Sequence, residues 1–433
     1  MKFGRSLGFL AALVSALCIG GLLSVAVTSK SYSESYPAVV CPPTLAGLTS
    51  QISLASKKTP FQRLQNRTTK TAPVKVLRLP VNKDSLLFSS DGVTPVVWQS
   101  RASSWAGGAV CTGPEASQWF VGGTADITTR GRLIIINSGL SDAVVDVQSF
   151  TENGKQPLRT ITVVSKNYQV IPTDSLAPGD KYLTVHVAPR SGRINAFMID
   201  EQGTGLKSLG GDLVNSVSNA SKSVMIPAIP HQVKNNSALL HTLRVLTPGD
   251  VDASVTAEVL SSDGVFVPVG LTSRTVSAGI VTEFQFTPKT SSTVLAVRIT
   301  STEPVVAAVK STVTVAGRKD FVWSTSAPEL VPLTIAISGL TPLISFVGER
   351  INVSLDVTLT NGKVVRKAVK GTDIATWRAP DAARSFTITK VGPDTFAGAL
   401  VSSVNGYGYF PIASGSLLTK IELPDSNIRV LNP

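Results

Sequence analysis

Ile351-Asn352-Val353-Ser354-Leu355-Asp356-Val357-Thr358-Leu359-Thr360-Asn361-Gly362 alternates apolar and polar residues as far as Leu359 and then ends in an Asn-Gly pair. Successive side chains on a strand point to opposite faces, so this alternation predicts one buried and one wetted face. Asn-Gly suits the positive φ angles of a tight hairpin. The stretch therefore predicts a half-buried strand and the turn that ends it.

Two other stretches read the same way. Ala143 to Phe150 runs into Asn153-Gly154, and Ala253 to Leu260 runs into Asp263-Gly264. The three turns lie 110 and 98 residues apart, about one immunoglobulin-like domain each. Downstream of each turn a matched pair of strands is expected: Leu183 to Val187 with Ile194 to Ile199, Leu295 to Ile299 with Val305 to Val309, and Phe386 to Lys390 with Phe396 to Val401. Valine, threonine and serine dominate throughout, as half-buried strands and their turns require. The expected fold is all-β, with tandem immunoglobulin-like β-sandwich units after a single N-terminal transmembrane or signal helix. The boundaries fall at 1–30 for that helix, 31–73 for a basic irregular stalk, 74–215 for a first sandwich with a disulfide-linked leading region, 216–325 for a second and 326–433 for a third.

Leu7 to Val27 is a 21-residue run without a charge, preceded by Lys2 and Arg5 and followed by Lys30. It is long enough to cross about 30 Å of hydrocarbon as a helix, and the basic residues before it favour a cytoplasmic N-terminus with the remainder exported. Its length favours a retained anchor over a cleaved signal, although Ser24 and Ala26 make a small-x-small site. Localisation is therefore expected at the cell membrane with an extracytoplasmic C-terminal part, or outside the cell if cleavage occurs. Of the three cysteines, Cys18 lies in the apolar run, which leaves Cys41 and Cys111 for an oxidising compartment. A disulfide between them is the simplest reading, against two unrelated free thiols.

The net charge of +12 is local in origin. Between Ser35 and Lys83 stand Lys57, Lys58, Arg63, Arg67, Lys70, Lys75, Arg78 and Lys83, with no acidic residue before Asp84. On the outer side of a membrane Lys57, Lys58, Arg63, Arg67 and Lys70 would meet anionic lipid heads or envelope polymers; the alternative is a solvated linker. Nucleic acid is not an expected partner, since an exported chain with only Phe61 among these basic residues has little on which bases could stack.

The segment Cys111 to Thr124, with Ser117-Gln118-Trp119-Phe120-Val121-Gly122-Gly123-Thr124, followed by Leu133 to Asn137 and the strand from Ala143, resembles a domain-of-unknown-function family of actinobacterial envelope proteins. The resemblance implies an N-terminal membrane segment, a cysteine pair, a Trp-Phe-x-Gly-Gly element and repeated β-sandwich units, and it implies no activity.

Trp98, Trp105 and Trp119 fall close together and are candidates for a sugar-stacking platform, because flat aromatic faces suit pyranose rings. The competing reading makes the Trp119 run a buried strand with a glycine-dependent turn. His186, His231 and His241 are too scattered for a metal cluster, and His186 is expected to face solvent. Asp250 and Asp252 read as a turn rather than a calcium loop. Asn66, Asn219, Asn235 and Asn352 fit the Asn-x-Ser/Thr pattern at a frequency chance explains. The only Gly-x-Ser-x-Gly match opens the apolar run, so no hydrolase motif is advertised. No cofactor is implied. The expected function is a non-enzymatic cell-envelope scaffold or interaction module with envelope proteins or polymers as partners; the alternative is a carbohydrate-binding accessory factor in envelope polysaccharide assembly.

Overall fold

The computed structural model describes residues 38–416, except 57, 74, 90, 91, 206, 235, 236 and 239, and except the side chains of 233, 234, 237 and 238. The apolar run Leu7 to Val27 and the basic residues flanking it, Lys57 and Asn235 lie outside the described residues. Within them the chain is all-β; the one helical turn is a 3-10 turn at Thr173–Ser175.

The alternating stretch forms strand Leu343–Leu359, in which Ile351, Val353, Leu355 and Val357 are buried and Asn352 is exposed. All three predicted hairpins form, but only their glycines take positive φ: Gly154 at 103°, Gly264 at 121° and Gly362 at 91°. The residue before each glycine uses its side chain instead. Asn153 donates Nδ2 to Asp180, Asn361 Oδ1 accepts the Lys363 N–H, and the Asp263 carboxylate accepts from Thr290 Oγ1 and from the Ser291 N–H. Those bonds, Thr290 first, pull the Asp263 carboxyl down to about 2.

Four β bodies follow one another along the chain. The tract expected as an irregular stalk belongs to the leading body: Val39–Cys41, Thr49–Ser53, Pro60–Arg63 and Lys70–Thr71 are strands. They join Arg78–Val81, Leu86–Phe88, Val96–Arg101 and Trp105–Val110 in two four-stranded sheets. Sequence reading missed them because they are short and interrupted by prolines and lysines, whereas their burial comes from long-range partners: Ile52, Leu64, Leu86 and Val97 share a core with Ile134, Ile136 and Phe197 of the next body. Cys41 and Cys111 are bonded within this core.

The first repeat sets Gln118–Val121, Thr184–Pro189 and Ala143–Thr151 against Asn167–Pro172, Arg132–Asn137, Ile194–Thr204 and Lys207–Val214. In the second, the two expected strands around Leu295 and Val309 are one 22-residue strand, Val294–Val315. No glycine or asparagine interrupts it. Its first half pairs with Ala253–Ser261 and its second with His241–Leu246, so a single strand links the two ends of one eight-stranded sheet. The third repeat contributes six strands to a single seven-stranded sheet, in which Leu343–Leu359 shifts register between Gly348 and Ile351. Leu333–Ala336 of that sheet pairs in parallel with Val93–Thr94, which ties the last body to the leading one.

Candidate functional site: the four-body junction

Each body ends in a strand paired on one side only: Trp105–Val110, Lys207–Val214, Arg318–Thr325 and Tyr407–Pro411. These four closing strands pack on one another, yet no ladder joins them. An unpaired strand edge carries N–H and C=O groups that need partners once water is removed. Here buried side chains supply several. Asn215 Nδ2 donates to Gly108 O and Tyr409 O, both at 3.0 Å, and so fastens three bodies with one amide. Asp212 Oδ2 accepts the Trp323 N–H at 2.7 Å, and Asp320 Oδ1 accepts the Gly211 N–H at 3.1 Å. Burial pushes the Asp320 carboxyl up to about 7 and the Asp212 carboxyl well above its usual range, with the backbone N–H groups pulling the other way.

Close approach at the junction requires glycine. A Cβ on Gly408 would lie 2.6 Å from the Trp98 ring and 2.8 Å from the Gly108 nitrogen, and one on Gly211 would lie 2.9 Å from the Trp105 ring. Trp98 and Trp105 are thus packed between strands, at 7% and 0% exposure. Trp119, at 8%, stacks on His186 with ring centroids 4.0 Å apart and exchanges backbone bonds with Val217. No tryptophan of this group offers a face to a sugar: the candidate stacking platform is not formed, and Trp119 lies in a buried strand, as the competing reading has it. The glycines of the Trp-Phe-x-Gly-Gly element also serve packing: Gly122 abuts Val214 and Trp323, and Gly123 O accepts from Arg244 at 2.7 Å. His186 is half-buried rather than solvent-facing, shares a hydrogen bond with Ser117 Oγ, and is held below its usual pKa by burial.

A charged group lies beside the junction. Arg244 binds Glu283 Oε1 through Nε and Nη2, and its guanidinium sits 4.6 Å from the Trp323 ring centroid. Trp323 Nε1 donates to Asp200 Oδ2, which also accepts from Gln202 Nε2; Lys310 Nζ in turn donates to Gln202 Oε1. Apart from the Gln202–Asp200 bond, which lies within Ile194–Thr204, each of these contacts joins different strands, as a structural clamp would. None of these residues stood out in the sequence, although the paired glycines in Trp105-Ala106-Gly107-Gly108, Leu209-Gly210-Gly211-Asp212 and Gly406-Tyr407-Gly408 mark three of the four closing strands.

The basic residues divide by environment. Lys58 and Lys70 are exposed, as are Lys75 and Lys83. Arg63 is half-buried, and Arg67 is consumed in structure: its Nη2 donates to Ser138 O at 2.7 Å, joining the leading body to the first repeat, and burial lowers its pKa. Arg78 packs its stem on Gly339 of the third repeat. Asp252 accepts the Ala278 N–H in a turn, and no metal-holding cluster occurs among the described residues.

Four connectors leave the closing strands, at residues 111–117, 215–220, 326–332 and 411–416. All four contribute to the walls of a cavity of about 400 Å³. Val217, Met225, Leu333 and Phe396 give it apolar surface; Glu115 and Glu329 are its only charged side chains among the described residues. Glu115 Oε2 accepts from Ser218 Oγ at 3.2 Å, and burial pushes its carboxyl up to about 7.

No curated protein matches the chain. A crystal structure of the Thermotoga maritima protein 1070 is similar over 25% of this chain and 93% of its own, at 13% identity and a TM-score of 0.19, a level that carries no argument. The model of a family of unknown function, DUF5719, matches residues 99–369, more than half of the 433 residues, from the last strands of the leading body through the long hairpin of the third repeat, and the protein belongs to that family.

Proposed function

We propose that the protein is a non-enzymatic extracytoplasmic scaffold or interaction module of the cell envelope, anchored or led through the membrane by Leu7 to Val27. The observation that carries this reading is the junction: buried charges, an amide and tight glycine contacts are spent on holding four β bodies in fixed relation, which suits a rigid platform. The Cys41–Cys111 bond accords with an oxidising compartment. Exposed Lys58, Lys70, Lys75 and Lys83 suit contact with anionic lipid or envelope polymer. The reading extends to the relatives, as actinobacterial envelope proteins that share the membrane segment and the repeated sandwiches.

The test is cross-linking in intact cells followed by recovery of the full chain. Co-recovery of a defined envelope protein or polymer is expected, and recovery of the chain with neither overturns the reading. N-terminal sequencing of the mature protein decides between anchored and secreted forms.

A further inference from the structure

We propose that the cavity walled by the four connectors binds a small amphipathic molecule with an ammonium head, seated with that head on Glu115 and its apolar body along Val217, Met225, Leu333 and Phe396. The volume, about 400 Å³, is that of a small-molecule site rather than a packing defect. Its walls come from all four bodies: Val110 and Thr112 of the leading one, Val214 and Ser216 of the first repeat, Ser223 and Met225 of the second, Leu333 and Ile412 of the third. A ligand here touches every body at once.

The sign of the head group follows from charge. In a chain of net charge +12, the lining contributed by the described residues contains two carboxylates and not one lysine, arginine or histidine. Glu329 Oε1 already accepts the Asp394 N–H at 2.9 Å. Among the described residues Glu115 has a single side-chain partner, the neutral Ser218 hydroxyl, and no basic residue pairs with it. A carboxyl in an apolar wall without a counter-charge gains most from a cation, because a charge-assisted hydrogen bond is about twice as strong as a neutral one, and it repels an anion. Burial raises the Glu115 pKa to about 7, and this has a second consequence: an ammonium ligand displaces the carboxyl proton, so its affinity falls as the pH drops below about 7.

The probes are 4-phenylbutylammonium, 4-phenylbutanol and 4-phenylbutanoate, which share an apolar body and differ in the head. Titration calorimetry on the full chain in lipid nanodiscs, with empty nanodiscs subtracted, is expected to rank ammonium about tenfold above alcohol, the worth of one charge-assisted contact, with the carboxylate weakest. Glu115→Gln should bring the ammonium down to the alcohol without lowering the melting temperature, since it removes a carboxyl whose ionised form burial destabilises. Met225→Trp, which fills the cavity, should abolish binding of all three. Equal affinity for the three heads, preference for the carboxylate, or an unchanged ammonium affinity in Glu115→Gln overturns the proposal. Should that variant not fold, the wild-type ranking and its loss between pH 8 and pH 6 decide, and a pH-independent ammonium affinity counts against it.

Discussion

Asn215 offers the sharpest test of the junction. Its Nδ2 meets two buried carbonyls, Gly108 O and Tyr409 O, each at 3.0 Å and each on a different body. Replacement by leucine keeps the branching and the number of side-chain heavy atoms but leaves both acceptors without a donor, at about 1–3 kcal/mol each. Some of that is offset by the added apolar burial, so a net loss of about 3 kcal/mol is expected for Asn215→Leu. Alanine behaves differently because Asn215 also lines the cavity. Truncation opens a path for water to reach the orphaned carbonyls, and a bridging water is nearly as good as a direct bond; Asn215→Ala should therefore cost less, about 1–2 kcal/mol despite its greater loss of contact. Urea unfolding followed by tryptophan fluorescence reads both values, since Trp98, Trp105 and Trp323 surround the site. Alanine costing more than leucine, or leucine costing under about 0.5 kcal/mol, would show that the amide does not hold the bodies together.

Removing the Cys41–Cys111 bond, which spans 70 residues, should lower stability by about 4 kcal/mol through the entropy of the unfolded chain; a loss under about 1 kcal/mol in Cys41→Ser/Cys111→Ser denies the bond that role. Trp119→Ala should cost about 3–5 kcal/mol, as large aromatic deletions in cores do, with no change in adsorption to cell-wall glycan; lost adsorption at full stability would restore the sugar platform. His241, fully buried between His231, Ser311 and Phe286, is held down to about 3, by burial first and then by His231. The unfolded chain therefore takes up a proton near its ordinary pKa of about 6.5 while the folded one does not. Stability from this group is present above that value and is lost as the pH falls, by roughly 2 kcal/mol at pH 5. Glu115 and Asp320, raised by burial, act in the opposite sense. The readout is accordingly the difference between wild type and His241→Gln, which should shrink from pH 7.5 to pH 5; a difference that stays constant refutes the assignment.

How far the sequence was legible depended on whether a residue's surroundings were local. Ile351 to Leu359 declared its strand because burial alternates along a single stretch, and Gly154, Gly264 and Gly362 declared their turns because a positive φ is a property of one residue. Val39–Cys41 and Lys70–Thr71 were not legible, since strands of two or three residues show no period and are fixed by partners such as Leu86–Phe88 and Pro60–Arg63. The aromatic cluster left two readings open for a related reason. A tryptophan near glycines reads alike as a ligand platform and as a packed ring, and only Gly408 and Gly211, about three hundred and one hundred residues downstream of the rings they receive, decide for packing. Asp212, Asn215 and Asp320 looked like ordinary polar residues near turns, because the backbone groups they satisfy belong to other bodies.

The treatment of strand edges says where partners can reach this chain. Four closing edges are taken out of play by Asn215, Asp212, Asp320 and the rings between them, so none is free to extend a sheet. The longest remaining edge is Val364–Arg378, which pairs only with Leu343–Leu359 and is largely exposed. It carries Arg366, Lys367 and Lys370, and such charges discourage a second strand from adding to an edge while leaving it free to meet an anionic surface. Strand addition at these five edges is thus blocked by burial at the centre and by charge at the rim. Association through exposed side chains and through the connector cavity remains, and both depend on the bodies keeping a fixed relation, which is what the junction provides.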